Sequence, residues 1–362
     1  MWDGANAAFL KSPALDRFRG QIELIPFDDG GMSDTAQDIA EKIASDPSIM
    51  VVIGHAASST TRAGEQVYGK QGIPLIMPIA TSPTVAYPET KSFSSGARFN
   101  NCFRLPPSDD RAQAPAVAHV VLKQLNGHRV FLLRDVSADA AEYSLSLYSE
   151  IGRLLDSRVI GRKEVDRAVT NFRSVALEML TNAPDVIVFC GYGTTAQALL
   201  ADLNDVYGST VEKPTIILTD GCKMDDLSVG SIPMLLTFPI AEMNTLNCTT
   251  IDGQIVRNTA GSSEQSYQLY GYDAVLFAAA ALSECADHRI NRTCIRSALA
   301  SLNGFNGACS SYAFSEGENI LAAYYVYSVV TPTQTEPRRF IQKYVITADE
   351  LAAVRAATRL KH

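Results

Sequence analysis

The sequence predicts an α/β protein of two Rossmann-like lobes with the same construction, each a parallel sheet wrapped by helices. Three observations carry this. Short β-branched runs alternate with helical spacing along the chain, the pattern of strands joined by helical crossovers. A strand, a glycine and then hydroxyls opening a helix occur at 48–59, SIMVVIGHAASS, and again at 185–195, DVIVFCGYGTT. The strand that follows each is repeated too, PLIMPIAT at 74–81 and PTIILTDG at 214–221. Parallel crossovers put all strand C-termini on one edge of a sheet, where ligands bind in open α/β folds. Each lobe thus delivers two loaded turns to that edge, and such a pair can close on a ligand between them.

The elements follow in order. Gly4 to Lys11 reads as the middle of a helix entered without an opening strand. A parallel sheet lacking that strand would expose an unprotected edge, so upstream sequence is expected. Residues 21–28, QIELIPFD, alternate as a strand and turn at Asp28 to Gly31. Thr35 to Ser45 has helical spacing. Met50 to Ile53 is a strand, Gly54 breaks it, and a helix opens among Ser58, Ser59, Thr60 and Thr61, one of which serves as N-cap. Gly72-Ile-Pro ends that helix, and Pro74 to Met77 is a strand leaving through Ala80 and Thr81. An irregular stretch spans Val85 to Asn101. The strand Asn101 to Leu105 then meets Pro106 and Pro107, a crossing between lobes.

His119 to Leu125 is helical, and Arg129 to Leu133 is a buried strand with its exit turn at Asp135 to Asp139. A helix continues to about Asp156, and another begins at Thr170. Strands at 185–190 and 214–218 follow, and Met234 to Ile240 leads through a proline to a second crossing. Tyr267 to Leu282 is a buried helix, Gly304 to Gly307 a turn, and Ser311 to Asn319 a strand with a tight loop. Leu321 to Val330 is a strand, and Ala348 to Leu360 is a terminal helix.

Composition narrows the partners. Lys and Arg number 31 against 39 Asp and Glu, a net charge of −8 without a basic run. Nucleic acid and anionic membrane are poor partners for such a chain. No stretch approaches the roughly 18 consecutive apolar residues that span a bilayer. The opening Met1-Trp-Asp-Gly does not read as a secretory signal, which suits a cytosolic protein, a mature form or a piece of a longer one. None of the seven cysteines forms a C-x-x-C pair. Cys285 and Cys294 flank a polar loop; a bond closing it would stabilise by roughly 3 kcal/mol and favour an oxidising compartment. Cys102, Cys190 and Cys222 read as buried thiols.

Two chemistries compete. The run Gly191 to Ala196 matches G-x-G-x-x-A between a strand and a helix, with Asp220 ending the next strand, as in an NAD(P)-dependent oxidoreductase. Asp220 stands further along than the usual ~20 residues, and nothing else suggests hydride transfer. None of the five histidines lies in a catalytic motif, and no cluster has metal-ligand spacing, so neither cofactor nor metal is expected. His55 reads as a capping or packing residue. The other chemistry is binding: hydroxyls and free N–H groups at a helix start form an anion site.

The run VVIGHAASSTTRAGEQVYGKQGIPLIMPIATSPTV resembles the central motif of the type I periplasmic solute-binding proteins, in particular the branched-chain amino-acid receptors of ABC transporters. FRLPPSDDRAQAP is similar to their first hinge crossing, PDVIVFCGYGTTAQALLADL to a second-lobe ligand turn, LLTFPI to the next crossing, YGYDAVLFAAAAL to a late first-lobe helix and GACSSYAFSEGENI to a late hairpin. The resemblance implies a Venus-flytrap of two lobes joined by hinge crossings, with lobe I at 1–108 and 240–313 and lobe II at 109–239 and 314–362. It also implies an extracytoplasmic, non-enzymatic receptor for an amino acid or related amide, working with an ABC permease or a signalling partner.

Position by position, the resemblance assigns a ligand carboxylate to Ser58, Ser59, Ala80 and Thr81, and an ammonium to Asp220 helped by Tyr192. Three departures stand out. The family's opening strand is not seen, its cysteine pair is replaced by Gly31 and Ala57, and Asp139-Ala140 stands where the receptors often carry Tyr-Gly. Two carboxylates, Asp139 and Asp220, then predict a ligand more cationic than leucine, unless Asp139 only caps the next helix.

Overall fold

The computed structural model describes residues 1–87, 98–208, 212–224, 226–227, 230–240, 263–287, 290–308, 310–320, 323–333 and 340–359. Most of the expected irregular stretch at 85–101, and the ends of the later crossings, lie outside these residues. The chain divides into two compact units, Met1–Ser108 with Met243–Leu321 and Asp109–Glu242 with Ala322–His362.

The first unit opens with α1 (Trp2–Lys11) and α2 (Ser33–Ser45). β1 (Val52–Ile53), α3 (Ser58–Gln71), β2 (Leu75–Met77) and β3 (Cys102–Arg104) follow. Leu75, Ile76 and Met77 are fully buried, as the middle of a parallel sheet requires. Gly72 ends α3 at φ 63°, a left-handed turn that an L side chain would strain.

Residues 21–28 do not form the expected strand. Their alternation is real, but among the described residues no strand pairs with them.

The second unit carries α4 (Gln113–His119), β4 (Val130–Asp135), α5 (Ala141–Leu155), β5 (Val159–Val165) and α6 (Arg173–Asn182). It continues with β6 (Val186–Cys190), α7 (Gly193–Tyr207), β7 (Thr215–Leu218) and β8 (Met234–Phe238). α5 shows why it is a helix: Tyr143, Leu147, Ile151 and Leu154 recur at helical spacing, and all are buried against β4 and β6.

The chain returns to the first unit with α8 (Ser263–Cys285), α9 (Arg292–Ser301), β9 (Gly304–Asn306), β10 (Ser311–Ser315) and β11 (Glu318–Asn319). A bond of 2.07 Å joins Cys285 to Cys294. Gly304 to Asn306, read as a turn, is a strand because it pairs with β10. Residues 314–320, expected in the second lobe, belong here: Phe314 pairs with Asn319, and Glu318 pairs with Arg104 of β3. β12 (Tyr324–Val329), β13 (Phe340–Ile346) and α10 (Ala348–Arg359) complete the second unit.

The first sheet has the order β1-β2-β3-β11-β10-β9, parallel from β1 through β11. The second is β13-β12-β8-β7-β6-β4-β5, parallel from β8 to β5 and antiparallel at β12 and β13. The exits of β1 and β2 therefore share one edge of the first sheet, and those of β4, β6 and β7 one edge of the second.

Candidate functional site

Each unit carries a cluster of polar groups at its strand exits. In the first, α3 begins at Ser58 with Ala57 as N-cap and no side-chain cap. The expected hydroxyl cap is absent because Thr60 and Thr61 turn back, both donating to the Ala57 carbonyl, at 3.1 and 2.6 Å. Ser58, Ser59, Thr60 and Thr61 are all buried. The β2 exit lies against them: the Ser82 N–H donates to Ser58 Oγ at 3.3 Å, and Ala80 and Thr81 are buried beside it.

Arg104 holds that exit in shape. It is fully buried on β3, and its Nη1 donates to the Ala80 and Ser82 carbonyls at 3.2 and 2.9 Å. Glu318 of β11 balances the guanidinium at 3.1 Å and accepts from Arg98 at 2.9 Å. His55 packs, its Nδ1 2.7 Å from Asp29 and its Nε2 3.3 Å from the Tyr68 hydroxyl. The His55 hydrogen bond holds the Asp29 carboxyl below the usual range.

In the second unit the chemistry gathers on Asp220, which opens the short turn Asp220–Cys222 after β7. The Tyr143 hydroxyl donates to Asp220 Oδ1 and accepts the Gly221 N–H at 3.2 Å. Burial pushes the Asp220 carboxyl up, against the pull of hydrogen bonds from Tyr143 and Gln113. The Tyr143 phenol is pushed up as well, by burial and then by the Asp220 charge. Tyr192, the N-cap of α7, stacks on Tyr143 with centroids 5.3 Å apart and planes 7° apart. Burial also raises the Tyr192 phenol. A carboxylate beside two parallel aromatic rings is a setting that favours an ammonium.

Asp139 does not cap the helix that follows it. The helix after it is capped at Ala140 without a side chain, and Asp139 instead pairs with Arg167 Nη1 at 2.8 Å. A guanidinium thus stands beside this carboxylate. Asp135 is the structural carboxylate of that turn, accepting from the Ser137 N–H and hydroxyl at 3.0 and 2.6 Å.

The dinucleotide reading of Gly191 to Ala196 also meets the packing. A Cβ on Gly193 would stand 2.0 Å from Met224 Sδ, and one on Gly191 2.4 Å from Asp135 Cβ. These glycines make room for the protein's own side chains. Among the described residues no group of three His, Cys, Asp or Glu side chains could hold a metal, and no helix is long and apolar enough to cross a membrane.

Sequence reasoning missed Tyr143, Gln113 and Arg104. Tyr143 had a signal: it is an aromatic in the first turn of the helix that follows a loaded strand exit. Arg104 had none, since a lone arginine in a three-residue strand says nothing of the loop it will grip.

Two α/β units built on parallel-rich sheets, with hydroxyl, carboxylate and aromatic groups at the strand exits, define the class of type I periplasmic binding proteins. The chain belongs to the periplasmic binding protein family, whose family model matches residues 1–226. It is 25% identical to an amino acid binding protein of Pseudomonas aeruginosa over 293 residues, covering 78% of this chain and 73% of the relative. A match to the Leu/Ile/Val-binding protein of Escherichia coli is 27% identical but spans only 36% of this chain and 33% of that one. The leucine-binding protein LivK of Thermotoga maritima superimposes with a TM-score of 0.80 at 19% identity, covering 96% of this chain and 94% of the other. A solute-binding protein of an ABC transporter from R. palustris, in complex with benzoate, shares the fold at a TM-score of 0.71 and 12% identity, covering 95% of this chain and 91% of the other.

Proposed function

We propose that this protein is an extracytoplasmic receptor that binds a small amino acid or related amide without transforming it. It delivers the solute to an ABC-type permease or reports it to a signalling partner. The observation that carries this reading is the start of α3. A helix of 14 residues opens without a side-chain cap while buried serines stand at its first two positions, with the Thr81 hydroxyl on the neighbouring exit. A ligand carboxylate there meets first-turn N–H groups, hydroxyls and the positive end of the helix dipole.

Asp220 supplies the opposite chemistry, a carboxylate for an ammonium under the rings of Tyr143 and Tyr192. An amino acid carries both kinds of group. Because Arg167 balances Asp139, a neutral side chain suits the protein better than a basic one, in keeping with relatives named for leucine, isoleucine and valine. The benzoate-bound neighbour is a reminder that the fold alone names no ligand.

Calorimetric titration with leucine, isoleucine, valine, arginine, an amide panel and NAD(H) tests the reading. An aliphatic amino acid should bind, and Ser58→Ala with Thr81→Ala should weaken it more than tenfold, since each hydrogen bond to a charged group contributes about 1.5–3 kcal/mol. Binding of NAD(H) alone, or a double variant within twofold of the parent, overturns it.

A further inference from the structure

Gln113 opens α4 and is wholly buried, although glutamine is ordinarily a surface residue. Its Nε2 donates to Thr237 of β8, at 3.2 Å to the hydroxyl and 3.4 Å to the carbonyl. The Thr237 hydroxyl in turn donates to the Leu218 carbonyl at 3.4 Å, at the end of β7 and just ahead of Asp220. Nε2 also donates to the Asp220 carboxylate. A primary amide nitrogen has two hydrogens, and Thr237 and Asp220 use both.

The orientation of the amide follows. Thr237 has turned its proton to Leu218, so its oxygen accepts, and a carboxylate only accepts. Reversed, the amide oxygen would face two acceptors. As it stands, Oε1 receives no donor among the described residues. A buried acceptor without a donor costs the folded state stability, and such a group calls for a reason. The reason lies at Asp220. Burial opposes its charge, and Asp109 and Asp135 add negative charge to the same cluster. The other titratable groups beside it are Tyr143 of α5, Tyr192 at the start of α7, Cys190 ending β6 and Cys222 of the same turn. Burial raises all four, so they stay neutral and lend Asp220 no positive charge. Of the charged side chains nearby, Asp139 is paired with Arg167, and Lys223 lies over the Phe238 ring at 4.0 Å.

We propose that Gln113 is a positioning residue for ligand binding, its amide nitrogen fixing the Asp220 carboxylate as a charged acceptor for an ammonium. Tyr143 donates to that carboxylate from α5, and Gln113 donates from α4 while gripping β8. Because the turn Asp220–Cys222 follows β7, the chain from Gln113 through Thr237 to Leu218 sets its place against both strands. A hydrogen bond to an ionised group is stronger than one between neutral groups, so the donor favours the charged carboxylate over the neutral acid. Without it the carboxyl takes up a proton at higher pH and loses the charge that draws an ammonium. Gln113 acts through Asp220 and not on the ligand, and the inference rests on the reading of Asp220 as the ammonium's partner.

The test is Gln113→Met, close to glutamine in length and without the amide. The carbon NMR resonance of the Asp220 carboxyl, assigned by its loss in Asp220→Asn, is followed against pH in the ligand-free protein. Removing a donor to the charged form raises a carboxyl's pKa, so the titration should move to higher pH. At neutral pH the variant should bind an aliphatic amino acid about tenfold more weakly, while Tm stays near the parent's. An unmoved titration, or a moved one with affinity unchanged, overturns the proposal. A lower Tm with neither change overturns it as well. Should Gln113→Met not fold, Gln113→Glu is titrated instead. It sets a second carboxyl against Asp220, so a proton is held to higher pH and affinity drops; titration and affinity like the parent's then overturn the proposal. If no amino acid binds the parent, the ligand reading fails by itself, and the Asp220 titration of the variant still decides whether Gln113 holds that carboxylate.

Discussion

Glu65 lies on the buried face of α3, wholly out of solvent, where the Cys102 thiol, the Asn101 amide at 3.4 Å and the Arg98 charge favour its ionised form less than burial opposes it. Burial pushes its carboxyl up to about 8. The unfolded chain releases this proton near the ordinary value of 4.5, whereas the folded protein holds it until about 8. The folded state therefore loses stability as pH rises from 4.5 through 8, by roughly a few kcal/mol in all. Glu65→Gln should remove that fall; denaturant midpoints measured at pH 5 and pH 8 would then differ less than in the parent. Asp220 is raised by burial too, and here the readout is binding. As pH falls through its raised pKa the carboxylate is neutralised, so affinity for a zwitterion should drop above the usual carboxylate range, and Asp220→Asn should flatten that slope while weakening binding. Asp139→Asn should leave aliphatic amino-acid affinity within about twofold, because its partner Arg167 is half exposed and such pairs contribute at most about 1 kcal/mol. Calorimetry across pH on the three proteins checks both statements.

At the scale of elements, α9 and the end of α8 are tied by Cys285 and Cys294, whose Cα atoms stand 6.0 Å apart. The loop they close was visible in the sequence as a polar stretch between two cysteines; that they bond follows from α8 and α9 meeting there. Replacing both by serine should cost about 2–3 kcal/mol through the unfolded chain's regained freedom, read as a lower Tm. The start of α3 shows the limit of local reading. Four hydroxyls predict a cap, but Thr60 and Thr61 back-bond to Ala57 and leave the first turn uncapped. Residues 21–28 show the same limit from the other side, since alternation cannot form a strand where no partner strand offers hydrogen bonds.

For the whole molecule, the chain passes from one unit to the other at 108–109, 242–243 and 321–322. Each unit is thus assembled from two distant stretches, and neither is complete until the chain has returned. A ligand that binds only the folded protein should stabilise it by about 2.7 kcal/mol at a concentration one hundred times its Kd. Scanning calorimetry in leucine, isoleucine and valine should show Tm rising with ligand concentration for a true ligand and standing still for arginine.

The sequence alone determined the repeated strand-glycine-hydroxyl device, the parallel strands that bear it and the family, because continuous apolar runs and capping residues act within a few positions of each other. Tertiary structure decided what those residues do. Residues 314–320 joined the first unit because Glu318 found Arg104, far away in sequence. Asp139 found Arg167 as its partner, and Asp220 found Tyr143, an aromatic on a helix begun after a different strand. Charge compensation and burial are set by neighbours in space, and nothing in the spacing of a single chain names those neighbours.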